Sequence, residues 1–354
     1  MTQSNGKSDQ SKRTEISKVG EFGLIDHLTK DVKIYNQSTE KGIGDDAAVL
    51  QNSAELKTVV STDLLVEGVH FDLAYVPLKH LGYKAVAVNV SDIAAMNAIP
   101  QQITVSIAIS NRFSIEALDQ IYDGIKAACQ SYQVDLVGGD TTSSRSGLVI
   151  SVTAIGQAKA SELTYRNGAK KGDILCVTGD LGAAYLGLNI LEREKQEFLA
   201  NPDMQPALEG KDYLIQRQLK PEARMDVIHE LRDLDIVPTS MIDISDGLAS
   251  ETFHICTQSN LGAVIYEEKL PYDRMTYEVA ATDFKIPLLT CALNGGEDYE
   301  LLFTISQEDF KKIETHSKIS FIGYMQDADK GIKLVTNAEQ VIDVKAQGWE
   351  HFKN

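Results

Sequence analysis

Four short runs in this 354-residue chain share one grammar: an apolar stretch, then glycine or hydroxyl residues with carboxylates, then a new element. They are Gly44-Asp45-Asp46, Ser61-Thr62-Asp63, Gly139-Asp140-Thr141 and Asp243-Ile244-Ser245-Asp246-Gly247. Carboxylates and hydroxyls with few histidines and no cysteines beside them are hard oxygen donors, the set that suits magnesium. Taken singly, an Asp or Ser before glycine is a turn residue or a helix cap. The repetition, joined by Asp92, points to one shared polyvalent cation site. On extended chain alternate side chains share a face, so Asp243 and Ser245 look the same way, while Asp246 looks the other way or caps the next helix.

Other residues are chemically capable but open locally to plain readings. His70, in Glu67-Gly68-Val69-His70-Phe71, follows the Asp63 run and could equally be a hydrogen-bonded structural histidine. Glu297 and Asp298 could be surface turn residues. Arg166, in a glycine-rich connector, is either solvated or a bidentate phosphate grip. Trp349, the single tryptophan, must pack down the tail or stack on something flat. Gly42-Ile43-Gly44-Asp45-Asp46-Ala47 matches the relaxed dinucleotide fingerprint, but no good buried strand precedes it and two aspartates repel a pyrophosphate. No Gly-x-x-x-x-Gly-Lys-Ser/Thr loop occurs, so phosphoryl transfer here has to rely on metals.

The elements that must position these groups alternate. The spacing predicts a helix over 81–98 with Asp92 on its apolar stripe, strands over 58–63, 103–109 and 148–155, and a helix from the N-cap Ser114 to Gln130. A strand over 134–137 is expected to turn at Gly138-Gly139-Asp140-Thr141-Thr142. Further on come a strand over 174–178, a helix from 183 to about 191, a strand in 241–248 whose end carries Asp243, Ser245 and Asp246 with a helix beginning at once, and another strand reaching Thr304. The class is α/β or α+β, with an N-terminal domain over 20–159 and a C-terminal one over 160–354. A net charge of −17 argues against a nucleic-acid footprint. Cys129, Cys176, Cys256 and Cys291 are widely spaced, which suggests a reducing compartment and neither disulfides nor zinc. Residues 1–19 read as a disordered polar extension, and with no long apolar run a soluble, cytoplasmic protein without membrane association is expected.

Taken together, the runs resemble the thiamine-monophosphate kinase family, in the superfamily of aminoimidazole ribonucleotide synthetase and selenophosphate synthetase. The resemblance covers about residues 20–354. It is carried by Gly-Ile-Gly-Asp-Asp-Ala-Ala at 42–48, Ser-Thr-Asp-Leu-Leu-Val-Glu-Gly-Val-His-Phe at 61–71, Lys-Ala-Val-Ala-Val-Asn-Val-Ser-Asp-Ile-Ala-Ala-Met at 84–96, Gly-Gly-Asp-Thr-Thr at 138–142, Ile-Asp-Ile-Ser-Asp-Gly-Leu at 242–248 and Gly-Gly-Glu-Asp-Tyr-Glu-Leu at 295–301. It implies a two-domain fold, each domain a mixed sheet with helices, and ATP-dependent phosphorylation of thiamine phosphate to thiamine diphosphate. The implied transfer is direct, with several magnesium ions and no phosphoenzyme, in a homodimer.

Carried over by residue, the resemblance places magnesium on Asp46, Ser61, Thr62, Asp63, Asp92, Asp140, Asp243 and Asp246. It places ATP near Gly139, Asp140, Arg166 and Ser245, with Tyr122 reaching across the dimer interface, and thiamine phosphate near His70, Glu297 and Trp349. The Thr62 side chain opposes Ser61 and Asp63 on a strand, so its backbone carbonyl is the expected ligand. Of the acidic pair, Asp46 is expected to face the cation while Asp45 bonds backbone amides of its turn. Two rivals remain: another ATP-using member of the superfamily, and a non-catalytic magnesium-binding scaffold. A selenophosphate synthetase would offer a reactive cysteine near its N-terminus, and the first cysteine here is Cys129.

Overall fold

The structure, a computed structural model, describes residues 39–41, 45, 48–51, 55–110 and 112–345. Asp46, Trp349 and the 1–19 extension lie outside the described residues. Two sheets carry the fold. The first has the order β1-β2-β3-β6-β4-β5, from Thr39–Lys41, Ala48–Gln51, Leu56–Val66, Val149–Lys159, Ile99–Ile109 and Asp135–Ser143. All its pairs are antiparallel except β4 with β5. Along β6 the buried positions alternate, Ile150, Val152, Ala154 and Ala158, as expected of a strand with one covered face.

That face is covered by helices α1 (Leu78–Ala95) and α2 (Ile115–Tyr132). Ser114 caps α2 as expected, its hydroxyl accepting from the Ala117 N–H at 3.3 Å. The two helices touch backbone to backbone. A Cβ on Gly82 would stand 1.9 Å from the Ile121 carbonyl oxygen, and one on Gly124 would stand 1.9 Å from that of Lys79. Helix α1 is buried continuously from Leu81 to Ser91, more completely than a single apolar stripe implies, because chain from the second half of the molecule packs on it as well.

The second sheet runs β13-β12-β9-β11-β7-β10-β8, from Val341–Asp343, Ile332–Val335, Leu261–Tyr266, Ile319–Asp327, Ile174–Thr178, Leu301–Ile305 and Ser240–Asp243. Its central strands have two buried faces. Leu175, Val177, Ile242 and Leu302 join one core with α6 (Leu248–Ser259), while Cys176, Met241, Leu301 and Phe303 join the core of the first sheet. Helices α3 (Ala183–Ala200), α4 (Asp212–Leu219) and α5 (Met225–Asp233) lie between β7 and β8 in the chain. α3 runs nine residues past the expected end, through Glu, Arg, Lys and Gln, all good helix formers.

One expectation is corrected. Gly138 to Thr142 is not a turn but the body of β5, paired in register with Thr104 to Ala108 of β4. Gly139 belongs there because a Cβ would stand 1.8 Å from the Val105 carbonyl oxygen. The four cysteines are free thiols. Among the described residues no helix is long and apolar enough to cross a membrane.

Candidate active site

Helix α1 organises the site. From its buried length Asn89 accepts the Asp63 backbone N–H at 3.0 Å, and Ser91 donates to Asp243 Oδ2 at 2.6 Å. Asp92 accepts the Ser61 hydroxyl. One helix thus anchors the backbone of Asp63 on β3 in the first sheet and the carboxylate of Asp243 at the end of β8 in the second. They face a cavity of about 710 Å³ whose wall includes Asp63, Asp92, Asp243, Asp246, Arg166, Ser245, His70 and Glu297.

The cavity gathers most of the residues singled out from the sequence, with exceptions. Ser61 is buried behind Asp92 and orients it, without being part of the wall. The Thr62 side chain donates to the Val152 carbonyl at 3.0 Å, and Thr62 is not part of the cavity wall. Asp246 lines the cavity beside Ser245, and the α6 N-cap is Gly247 with no side-chain cap. The Asp45 carboxylate accepts the Arg166 N–H at 3.3 Å and lies 3.6 Å from the Arg166 Nε, 121 residues away, while the rest of its own turn lies outside the described residues. Gly139, Asp140 and Tyr122 are not in this cavity. β5 is three strand spacings from β3, about 14 Å, at the edge of the sheet with Asp140 exposed, and Tyr122 packs on the first core from α2.

Glu297 and Asp298, adjacent in sequence, have opposite fates. Glu297 lines the cavity, while Asp298 is fully buried and accepts the Gly182 N–H at 2.8 Å, at the start of α3. Burial pushes its carboxyl up to about 7 although Arg217 stands 3.9 Å away. Glu251, buried behind Asp246, is raised well above the carboxylate range by burial and then by the Asp246 charge. His70 Nδ1 accepts the Val66 N–H at 3.0 Å, which puts the proton of the neutral ring on Nε2.

The electrostatic balance of the wall is acidic. Among the described residues of the wall, Asp63, Asp72, Asp92, Glu192, Asp243, Asp246 and Glu297 face only Arg166 and Lys195 as permanent cations. Among the described residues no three His, Cys, Asp or Glu side chains cluster closely enough to hold an ion alone. Separated carboxylates on a shared cavity fit magnesium, which keeps several waters and takes one or two carboxylates together with substrate phosphates.

Four cavity residues or supports escaped the sequence reading. Lys84, Asn89 and Ser91 carried a signal, being polar groups inside the apolar run that ends at Asp92. His254, on α6, carried none. Burial, with the Arg166 charge second, pulls its imidazole from 6.5 down to about 4. The unfolded chain therefore binds a proton between those values that the native state refuses, and stability is lost as pH falls through this window. Replacing His254 by Gln should flatten the fall, removing up to about 3 kcal/mol of pH-dependent destabilisation between pH 6.5 and 4. Urea melts of both proteins across that range measure it, and parallel curves would refute it.

A family profile described as AIR synthase related protein, N-terminal domain, matches residues 44–158. The thiamine-monophosphate kinase of Buchnera aphidicola subsp. Schizaphis graminum is 37% identical, covering 94% of this chain and 98% of its own length. That of Bacillus subtilis is 35% identical, covering 94% and 99%. A solved structure described as AaThiL complexed with AMPPCP and TMP superposes with a TM-score of 0.81 at 30% identity, over 97% of this chain and 100% of that one. The fold is also that of the HypE-HypF complex structure, at 21% identity and a TM-score of 0.68. With full-length relatives above 30% identity and the same two-sheet architecture, this chain is a kinase and belongs to the thiamine-monophosphate kinase family.

Proposed function

We propose that this chain transfers the γ-phosphoryl group of ATP directly to the phosphate of thiamine phosphate, giving thiamine diphosphate and ADP, as a cytoplasmic enzyme of thiamine diphosphate biosynthesis. The observation that carries the reading is one acid-walled cavity, with Asp63 of the first sheet and Asp243 of the second both anchored on α1 and with Arg166 in the same wall. A near full-length relative described with AMPPCP and TMP bound supports it. Magnesium ions held by Asp46, Asp63, Asp92, Asp243 and Asp246, with the Thr62 carbonyl, would neutralise the charge crowded onto donor and acceptor phosphates. Arg166, braced by Asp45, grips an ATP phosphate, and Ser245 hydrogen-bonds beside it. His70 offers its Nε2–H to the acceptor phosphate, Glu297 faces the organic part of that substrate, and Trp349 stacks on its ring. The acceptor oxygen is already ionised near neutral pH, so positioning and charge neutralisation suffice and no side-chain base is required.

Gly139, Asp140 and Tyr122 enter this scheme only across a homodimer. The exposure of Leu136 and Val137 on the edge strand β5 supports such an interface. Incubation with ATP, magnesium and thiamine phosphate should yield thiamine diphosphate and ADP in equal amounts by chromatography. AMP as product would point to a synthetase, and magnesium binding without ADP release to a scaffold.

A further inference from the structure

The run that carries Asp92 also carries a lysine that the scheme above leaves without a task. Lys84 lies in an apolar stretch of α1, ahead of Ala85-Val86-Ala87-Val88, with its side chain only 5% exposed. A buried ammonium is costly unless paired. Its Nζ pairs with Glu297 Oε2 and donates to the Gln218 carbonyl at 3.1 Å. Glu297 and Gln218 line the cavity and Lys84 does not, so the lysine reaches the substrate space only through the carboxylate it holds.

Glu297 is constrained from other directions too. Its backbone sits at φ 62°, a region costly for a non-glycine residue, with Tyr299 at φ 51° two positions on. Its N–H donates to the Ser245 carbonyl at 2.7 Å and that of Tyr299 to Ile244 at 2.9 Å, which ties this loop to the strand end bearing Asp243. The Tyr299 hydroxyl donates to Glu297 Oε1 at 3.2 Å. With Lys84 on one oxygen and Tyr299 on the other, the carboxylate cannot swing, yet 31% of its side chain remains exposed. It is an oriented anion presented to the cavity. Ser91, seven residues after Lys84 and about 10 Å along the same helix, holds Asp243. A single rigid rod therefore indexes the Glu297 end of the cavity against the aspartate end.

We propose that Lys84 is a positioning residue for the acceptor: it holds Glu297 facing the permanently charged thiazolium ring, and so sets where the acceptor phosphate lies relative to the aspartates. This rests on the reading of Glu297 as a substrate residue. Steady-state kinetics of Lys84→Met, Lys84→Arg, Glu297→Gln and the Lys84→Met/Glu297→Gln pair test it. Lys84→Met should raise KM for thiamine phosphate at least tenfold with KM for ATP within twofold, and Lys84→Arg should recover part of the loss. The double variant should be no worse than Glu297→Gln alone, since the lysine acts through that carboxylate. Equal rises in both KM values, or additive losses in the double variant, would overturn the proposal. Should Lys84→Met fail to fold, Lys84→Arg decides: a KM for thiamine phosphate raised at least threefold but less than in Glu297→Gln, with KM for ATP within twofold, supports the role, and an unmoved KM for thiamine phosphate or equal rises for both substrates overturn it. Wild-type protein that forms no thiamine diphosphate refutes the functional reading itself, whereas active wild type with an unmoved KM in Lys84→Met refutes only the role of Lys84.

Discussion

Asp243→Asn is expected to lower phosphoryl transfer at least about a hundredfold at limiting magnesium, with partial recovery as magnesium is raised. Asp243 ends β8, is 4% exposed, and accepts the Ser91 hydroxyl while facing the cavity. Asparagine has the same shape and keeps an oxygen for Ser91, so the fold survives the change. What is lost is one negative charge in the acidic wall, the charge that the proposed function uses to draw cations to two anionic substrates. Asp92→Asn should behave alike, at least about tenfold, the smaller effect reflecting its greater exposure. Turnover measured across a magnesium titration is the check. Full activity of the Asp243 variant at limiting magnesium would remove that carboxylate from the cation site.

The second large effect is on stability. Gly82→Ala and Gly124→Ala should each cost more than about 3 kcal/mol and lower the melting temperature by at least about 6 °C. In each case the added Cβ meets a carbonyl oxygen of the neighbouring helix at 1.9 Å, an obstacle made of backbone that no rotamer change relieves. Helices α1 and α2 would have to separate. Because α1 also holds Asp63, Asp243 and Glu297 through Asn89, Ser91 and Lys84, turnover should fall even at temperatures where the variant stays folded. Calorimetry with parallel activity measurements tests both parts, and melting points unchanged in both variants would show that the helices part at no cost.

Much of this was legible beforehand because it is local. Strand alternation and the Ser114 cap follow from neighbours a few residues apart, and hard oxygen donors in a repeated pattern suit a cation whatever the fold. Side-chain parity on a strand was enough to turn the Thr62 side chain away from Asp63. Parity cannot extend past a strand end, and there Asp246 entered the cavity where a cap was one of the alternatives.

Long-range partnership was not legible, since it depends on how two sheets and a buried helix meet. Asp45 braces Arg166 at 121 residues' remove, a partnership that no local spacing announces. Glu297 and Asp298 look interchangeable on paper, but the left-handed backbone at Glu297 delivers one to the cavity and the other to the start of α3. Asp140 carries the same local grammar as Asp243, and strand order alone puts it at an exposed edge about 14 Å from β3. The chain's residue types determine its acidic, oxygen-donor character, because charge and ligand hardness belong to the side chains themselves. Which carboxylates share a cavity, and which lysine holds one of them in place, follows from packing around α1, where contacts between distant residues are made only once the core has closed.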